Sequence, residues 1–349
     1  MARKILWGSL SLSPITILAH YLLDLSSTLE FALAALALIP LAWLIGEATE
    51  HAAHHTGPGI GGFLNATFGN APELIIALFA VSDGLFEVVR GSLSGSVVGN
   101  LLLVLGFSLA FGGRGSLDRQ STFVSLALVA AAVLLFLIPA IPGFSGNPER
   151  HSLAQLSILP SVVLLLVYVG VTYLALRRHR QMHVSDEPSE IIGWSLRTSI
   201  LVLLGATVVT ALIAEILVGS LEVFAEKAHL SDFFVAAVIV AIVGNAAEHG
   251  GAVVVAYRGN IRLAAEIALA SSAQVAVFLI PAVALLAWLI EPLALSFRPV
   301  ELIVLGASVV VATLLLFQGE SSRARGVILV LAYVGAAIAF FIAGDRDLV

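Results

Sequence analysis

Cysteine is absent from the 349 residues. That excludes a disulfide framework and a thiolate metal centre. Charge is scarce as well: 11% of residues are charged, against 59% hydrophobic, with a mean hydropathy of +1.05. A soluble globule of this length does not have that balance, so the chain reads as an all-α polytopic membrane protein. The net charge of -6 and the lack of any basic patch give no basis for a nucleic-acid partner. An HExxH arrangement, the helical zinc signature, is also missing.

What is present is a series of apolar runs. At about 20 residues per crossing, they divide into eleven spans at roughly 5–23, 30–54, 60–81, 90–111, 121–141, 154–176, 196–224, 232–256, 262–288, 300–317 and 326–343. Arg3-Lys4 ahead of the first run mimics a signal peptide. However, Pro14, His20 and the lack of a small-residue cleavage pattern keep it as a span. The longest polar stretch, Arg177 to Glu190, reads as a linker between two halves. The expected organisation is a leading helix in 1–25, a five-helix unit in 26–176, a cytoplasmic linker in 177–193 and a second five-helix unit in 194–349. With the N-terminus inside, 12 Lys and Arg fall on the cytoplasmic side and 5 on the other. That positive-inside bias puts the C-terminus outside the cell membrane.

Two stretches organise the reading: Gly69-Asn70-Ala71-Pro72-Glu73 and Gly244-Asn245-Ala246-Ala247-Glu248. Each sets a carboxylate inside an apolar run, where a charge is costly and faces a partner, a cavity or an ion path. Gly-Asn weakens the helix, and Pro72 suits the first turn of a new half-helix. Such a break frees carbonyls, which membrane depth tolerates only where they line a cavity. One copy alone is equally well a kink around a protonated Glu. Two copies favour a divalent-cation or proton site. A shift of 175 residues superimposes the two motifs and also sets Glu47 on Glu222, His54 on His229 and Ala77 on Ala252. Five spans per repeat is an odd number, so the second copy is expected to be inverted, a transporter architecture.

The stretch GPGIGGFLNATFGNAPELIIALF from Gly57 to Phe79, with GNAAEHGGAV from Gly244 to Val253, resembles the paired signatures of the cation/proton exchangers, the proton-coupled branch of the calcium/cation antiporter superfamily. The resemblance covers nearly the whole chain. It implies one leading helix before two inverted five-helix repeats, and an exchange of cytoplasmic Ca²⁺ for H⁺ across the inner membrane. Asn before the acid in both copies is more similar to this branch than to the sodium/calcium branch. The linker carries few acids, so the long acidic helix of eukaryotic relatives is not carried over. In the family a Ser and a Gln from the helices after the motifs approach the ion; they match Ser96 and Gln274. His249 beside Glu248 also follows the family motif and is expected either to tune proton coupling at that acid or to hydrogen-bond a neighbouring helix.

The chemistry of the residues can be argued beside that resemblance. Ca²⁺ takes six to eight hard oxygens. Glu73 and Glu248 supply the carboxylates that Ca²⁺ and protons would share. Asn70 and Asn245 offer amide oxygens or tie the broken helices, and the carbonyls near Gly69 and Gly244 are further ligands. Ser92, Ser94 and Ser271 fit close helix packing better than ligation. Glu47 with Glu50, and Glu222 with Glu226, each share a helix face and are read either as access paths for cations or as solvated helix ends. Glu215 and Glu266 have no assigned role. Ca²⁺ enters as substrate, and no resident cofactor is expected. A sodium/calcium exchanger is the alternative function; an intramembrane metallohydrolase using His51, His54 and His55 is a distant one. A homo-oligomer is left open by the sequence.

Overall fold

A computed structural model of the chain describes residues 2–182 and 193–346; the expected linker lies mostly outside the described residues. The protein is all-α apart from one two-residue strand pair. Helices α1 (Ala2–Ser9) and α2 (Leu12–Leu22) lead into α3 (Ser27–Gly69) and α4 (Ala71–Ser82). Next come α5 (Phe86–Val98), a π segment (Gly99–Val104) and α6 (Leu105–Gly112). Strand β1 (Gly115–Ser116), α7 (Arg119–Gly143) and α8 (His151–Met182) complete the first half. The second half holds α9 (Leu196–Ala228), α10 (Asp232–Phe234), a π segment (Val235–Val240), α11 (Ala241–Gly244) and α12 (Ala246–Tyr257). It continues with α13 (Ile261–Gln274), a third π segment (Val275–Leu279), α14 (Ile280–Leu286), α15 (Pro299–Leu316), β2 (Glu320–Ser321) and α16 (Arg323–Ala343).

Among the described residues nine helices are long and apolar enough to cross a membrane, or ten if the pair bent by 58° between Gly244 and Glu248 is one span. The remaining difference from eleven lies at the expected span 60–81. Its first part continues α3 without interruption, and its second part is the twelve-residue α4. The expected gap between the spans 30–54 and 60–81, which holds Gly57-Pro58-Gly59, is therefore helical. Gly and Pro permit a break there but do not compel one, because a proline removes a single helical donor. At the matching place in the second half the helix does stop. His229 caps α9 in the left-handed conformation at φ 56°.

Side-chain contacts sort the connections into two ends of the bundle. At one end β1 pairs with β2, Asp118 meets Arg262 at 2.5 Å, and His55 reaches the Trp194 carbonyl at 2.8 Å. At the other, Arg90 on α5 pairs with Glu87 at 2.6 Å and with Glu149 at 2.5 Å. Arg298 and Arg346 join that cluster, and Asp345 accepts from the Phe233 backbone N–H at 3.0 Å. The long helices α3 and α9 lie against each other, with Phe31 stacked on Phe224 at 4.2 Å.

Candidate functional site

The site begins with two backbone breaks. Asn70 (φ -100°, ψ 17°) and Asn245 (φ -90°, ψ 5°) leave helical geometry in nearly the same way, and each starts a twelve-residue helix bearing a glutamate in its first turn. Pro72 at the start of α4 costs no internal donor. Both asparagines are buried, at 1% exposure.

The crossing of α5 over the π segment before α11 brings the halves together. A Cβ on Gly95 would lie 2.0 Å from the Ala237 carbonyl oxygen, and one on Gly91 would lie 3.0 Å from Phe233. Only glycine at these two positions, four apart on one helix face, lets the backbones approach so closely. That contact sets Ser96 beside Asn245, whose Nδ2 donates to Ser96 Oγ at 2.8 Å and to the Ala241 carbonyl at 3.0 Å. The amide nitrogen thus ties the broken helix to α5, while Asn245 Oδ1 has no partner among the described residues. Across this junction Ser272 Oγ donates to the Val97 carbonyl at 3.1 Å.

Glu73 packs onto the opposite motif. A Cβ on Gly244 would sit 3.2 Å from Glu73 Cγ, and Glu248 is the ionisable neighbour that acts on the Glu73 carboxylate. Glu73 Oε2, Glu248 Oε2 and His249 Nε2 are buried without hydrogen-bond partners among the described residues. Buried polar atoms normally have a partner, so these three atoms mark the two motifs as more than packing.

The two acids face different spaces. Glu73 lines a void of about 10 Å³ with Ser92 and Ser96, at the lower limit for one water. Glu248 lines a cavity of about 490 Å³ that runs past Trp43, Glu47 and Glu50 to Gly69 and Gly244. Glu47 and Glu50 therefore share a space with a motif acid. Glu222 and Glu226 are instead exposed along α9 and line neither cavity. Gln274, the last residue of α13, meets the Tyr168 hydroxyl and also lines neither cavity. Ser92, which the sequence assigned to packing, is in the Glu73 void; its i, i+4 spacing to Ser96 was the available signal. Ser94 bonds back to the Gly91 carbonyl at 3.1 Å and also donates to Glu301 Oε1 at 3.3 Å, so it does more than pack. Among the described residues, no three His, Asp or Glu side chains are arranged to hold a metal. A cation here would depend on two carboxylates and neutral oxygens.

Broken helices with paired buried acids, inside a bundle of membrane-length helices, define a polytopic membrane protein. The model of the family described as sodium/calcium exchanger protein matches residues 26–177 and 198–342. The chain is 38% identical over 328 residues to the Ca²⁺/H⁺ antiporter ChaA of Bacillus subtilis (strain 168), covering 90% of this chain and 93% of that one. It is 36% identical to the Ca²⁺/H⁺ antiporter of Synechocystis sp., covering 97% of each. The structure of native YfkE superimposes with a TM-score of 0.82 at 34% identity, covering 98% of this chain and 100% of that one. The H⁺/Ca²⁺ exchanger CAX shares the fold at a TM-score of 0.73 and 17% identity. The chain belongs to the sodium/calcium exchanger family, in the cation/proton exchanger branch of the calcium/cation antiporter superfamily. That membership makes it a transporter and removes the metallohydrolase alternative.

Proposed function

We propose that this protein exports cytoplasmic Ca²⁺ in exchange for H⁺ by alternating access, with Glu73 and Glu248 as the groups that Ca²⁺ and protons share. The observation that carries the reading is the packing of one motif's acid on the other motif's break, Glu73 against Gly244. Two carboxylates neutralise a divalent ion. Asn70, Asn245, Ser96, Gln274 and the carbonyls at Gly69 and Gly244 add neutral oxygens of the kind Ca²⁺ prefers. An empty ionised pair is costly at membrane depth, so the site changes face when loaded with Ca²⁺ or with protons. That rule couples the two flows. His249, buried beside Glu248, serves proton transfer, while Glu47 and Glu50 draw cations into the wide cavity. Glu222 and Glu226, exposed along α9 and outside both cavities, would at most concentrate cations at the far surface.

Inverted repeats are part of this reading. Helices α5 and α13 begin 175 residues apart, and their first turns lie at opposite ends of the bundle, beside Glu149 and Asp118 respectively. This supports two antiparallel five-helix units after a leading helix, eleven crossings in all, with the broken midpoints facing each other. The charge bias supports a cytoplasmic N-terminus and an external C-terminus in the inner membrane. The wide cavity then opens toward the cytoplasm. The names of the relatives support Ca²⁺ and H⁺ as the exchanged ions. The test is Ca²⁺ uptake into everted vesicles under an imposed pH gradient, with and without Na⁺. Uptake driven by the pH gradient in sodium-free buffer is expected. Uptake that requires Na⁺ would replace this reading with sodium/calcium exchange.

A further inference from the structure

The ion-pair cluster at the end of the bundle away from Glu47 and Glu50 contains a second cavity, unrelated to the two glutamate motifs. Three arginines and three glutamates meet there. Arg90 is fully buried and held by Glu87 and Glu149, and Glu301 is fully buried beside Arg298. Glu87 lies behind the other two arginines, 3.5 Å from Arg298 Nε and 3.7 Å from Arg346 Nε. Each of the three arginines is thus held by at least one carboxylate.

Arg298 and Arg346 also line a cavity of about 360 Å³, together with Phe144, Pro299, Val300 and Ala343 among others and with no carboxylate in its wall. Arg298 Nη1 donates to the Gly344 carbonyl at 2.8 Å and Arg346 Nη2 to the Ser296 carbonyl at 2.9 Å, which fixes both guanidinium groups in the cavity wall. Pro299 opens the 18-residue helix α15 at the same cavity, adding the positive end of a helix dipole. Every fixed charge in the cavity wall is therefore positive. Its surroundings are apolar: Phe144, Ile303, Phe341 and Ile342 are exposed on α15, α16 and the α7–α8 connection. A pocket at the end of membrane-length helices, cationic inside and apolar around, matches an anionic headgroup with its acyl chains along the helices. Guanidinium groups suit phosphate through paired donors.

We propose that this cavity binds the phosphate of an anionic phospholipid, held between Arg298 and Arg346. The proposal is independent of how Ca²⁺ and protons are exchanged. It is tested on the full chain purified from bilayers of equal phosphatidylglycerol and phosphatidylcholine, with retained lipids counted by native mass spectrometry. The wild type is expected to retain phosphatidylglycerol at least fivefold over phosphatidylcholine. Arg346→Gln is expected to lose that preference. Ala343→Trp, which fills the cavity and leaves both arginines, is expected to lose it too and covers the case in which Arg346→Gln does not fold. Adding 10 mM inorganic phosphate is expected to leave retention unchanged. Absence of a headgroup preference in the wild type overturns the proposal, as does preference persisting in either variant. Displacement by inorganic phosphate would make this a free-anion site and overturn the lipid assignment.

Discussion

In the proposed reading Glu73 and Glu248 carry the exchange chemistry at the scale of single residues, and their neighbours make that reading testable. Glu73→Gln and Glu248→Gln keep the shape of the side chain and remove its charge and its exchangeable proton. Each is expected to abolish Ca²⁺/H⁺ exchange, at least 100-fold in vesicle flux, equivalent to about 3 kcal/mol, with an unchanged elution profile in detergent. Near wild-type flux in either variant would remove that residue from the site. Neutral oxygens are expected to behave differently. Ser96→Ala and Gln274→Ala remove ligation without removing proton coupling, so apparent Ca²⁺ affinity should fall by about tenfold, ~1.4 kcal/mol, while maximal rate changes little. For Ser96 the variant also releases Asn245 Nδ2 from its 2.8 Å bond. If affinity is unchanged in both, these two residues belong to packing.

The decisive contact between elements is α5 against the π segment of Val235–Val240. Gly95→Ala would put a methyl 2.0 Å from a backbone carbonyl, which cannot give way as a flexible side chain can. Overpacking of this kind costs about 1–3 kcal/mol, and the expected result is a lower unfolding temperature together with lost exchange. A variant with wild-type stability and flux would mean the crossing is looser than described. At the opposite end of the bundle, Asp118 caps α7 by accepting from the Ser121 N–H at 3.0 Å. That hydrogen bond, ahead of the Arg262 charge, holds the carboxyl below the ordinary aspartate range. Its contribution is therefore complete at neutral pH and is lost as pH falls below about 3.9 through the lowered value in the fold. Asp118→Ala is expected to cost about 1 kcal/mol of stability at pH 7, with Asn largely restoring the cap. Thermal unfolding in detergent would show the gap to Ala closing in acid.

For the whole molecule, the chain's lack of cysteine makes topology directly readable. Ser145 and Ser116 are exposed at opposite ends of the bundle. An impermeant thiol reagent on intact cells is expected to label Ser145→Cys and spare Ser116→Cys. The reverse pattern would invert the orientation, and labelling of both would break the eleven-crossing arrangement. The paired motifs were legible in the sequence because a carboxylate after Gly-Asn stands out in an apolar run, and a fixed spacing of 175 residues repeats it. The caps Asp118 and Ser195 emerged only with the structure, while the starts of α7 and α9 were legible from the onset of the apolar runs near 121 and 196. The continuity of α3 through Gly57-Pro58-Gly59 was not, since those residues allow both a turn and a helix. The Arg90 cluster was not legible either. Its members come from α5, the α7–α8 connection, the start of α15 and the C-terminal segment, and no local pattern links Glu87 to Arg346. Glu222 and Glu226 looked equivalent to Glu47 and Glu50 by spacing, and only the packing of α9 separates them.

The unequal surroundings of the two acids imply an order of events. Glu248 borders a space wide enough for a hydrated cation, whereas Glu73 borders one that holds a single water at most. In the proposed exchange an arriving ion would meet Glu248 while it still carries most of its water, and would reach Glu73 only after shedding it. Dehydration is then the toll between the first acid and the second. An ion that sheds water reluctantly, as Mg²⁺ does, would stall at the first and never complete the load that lets the site turn.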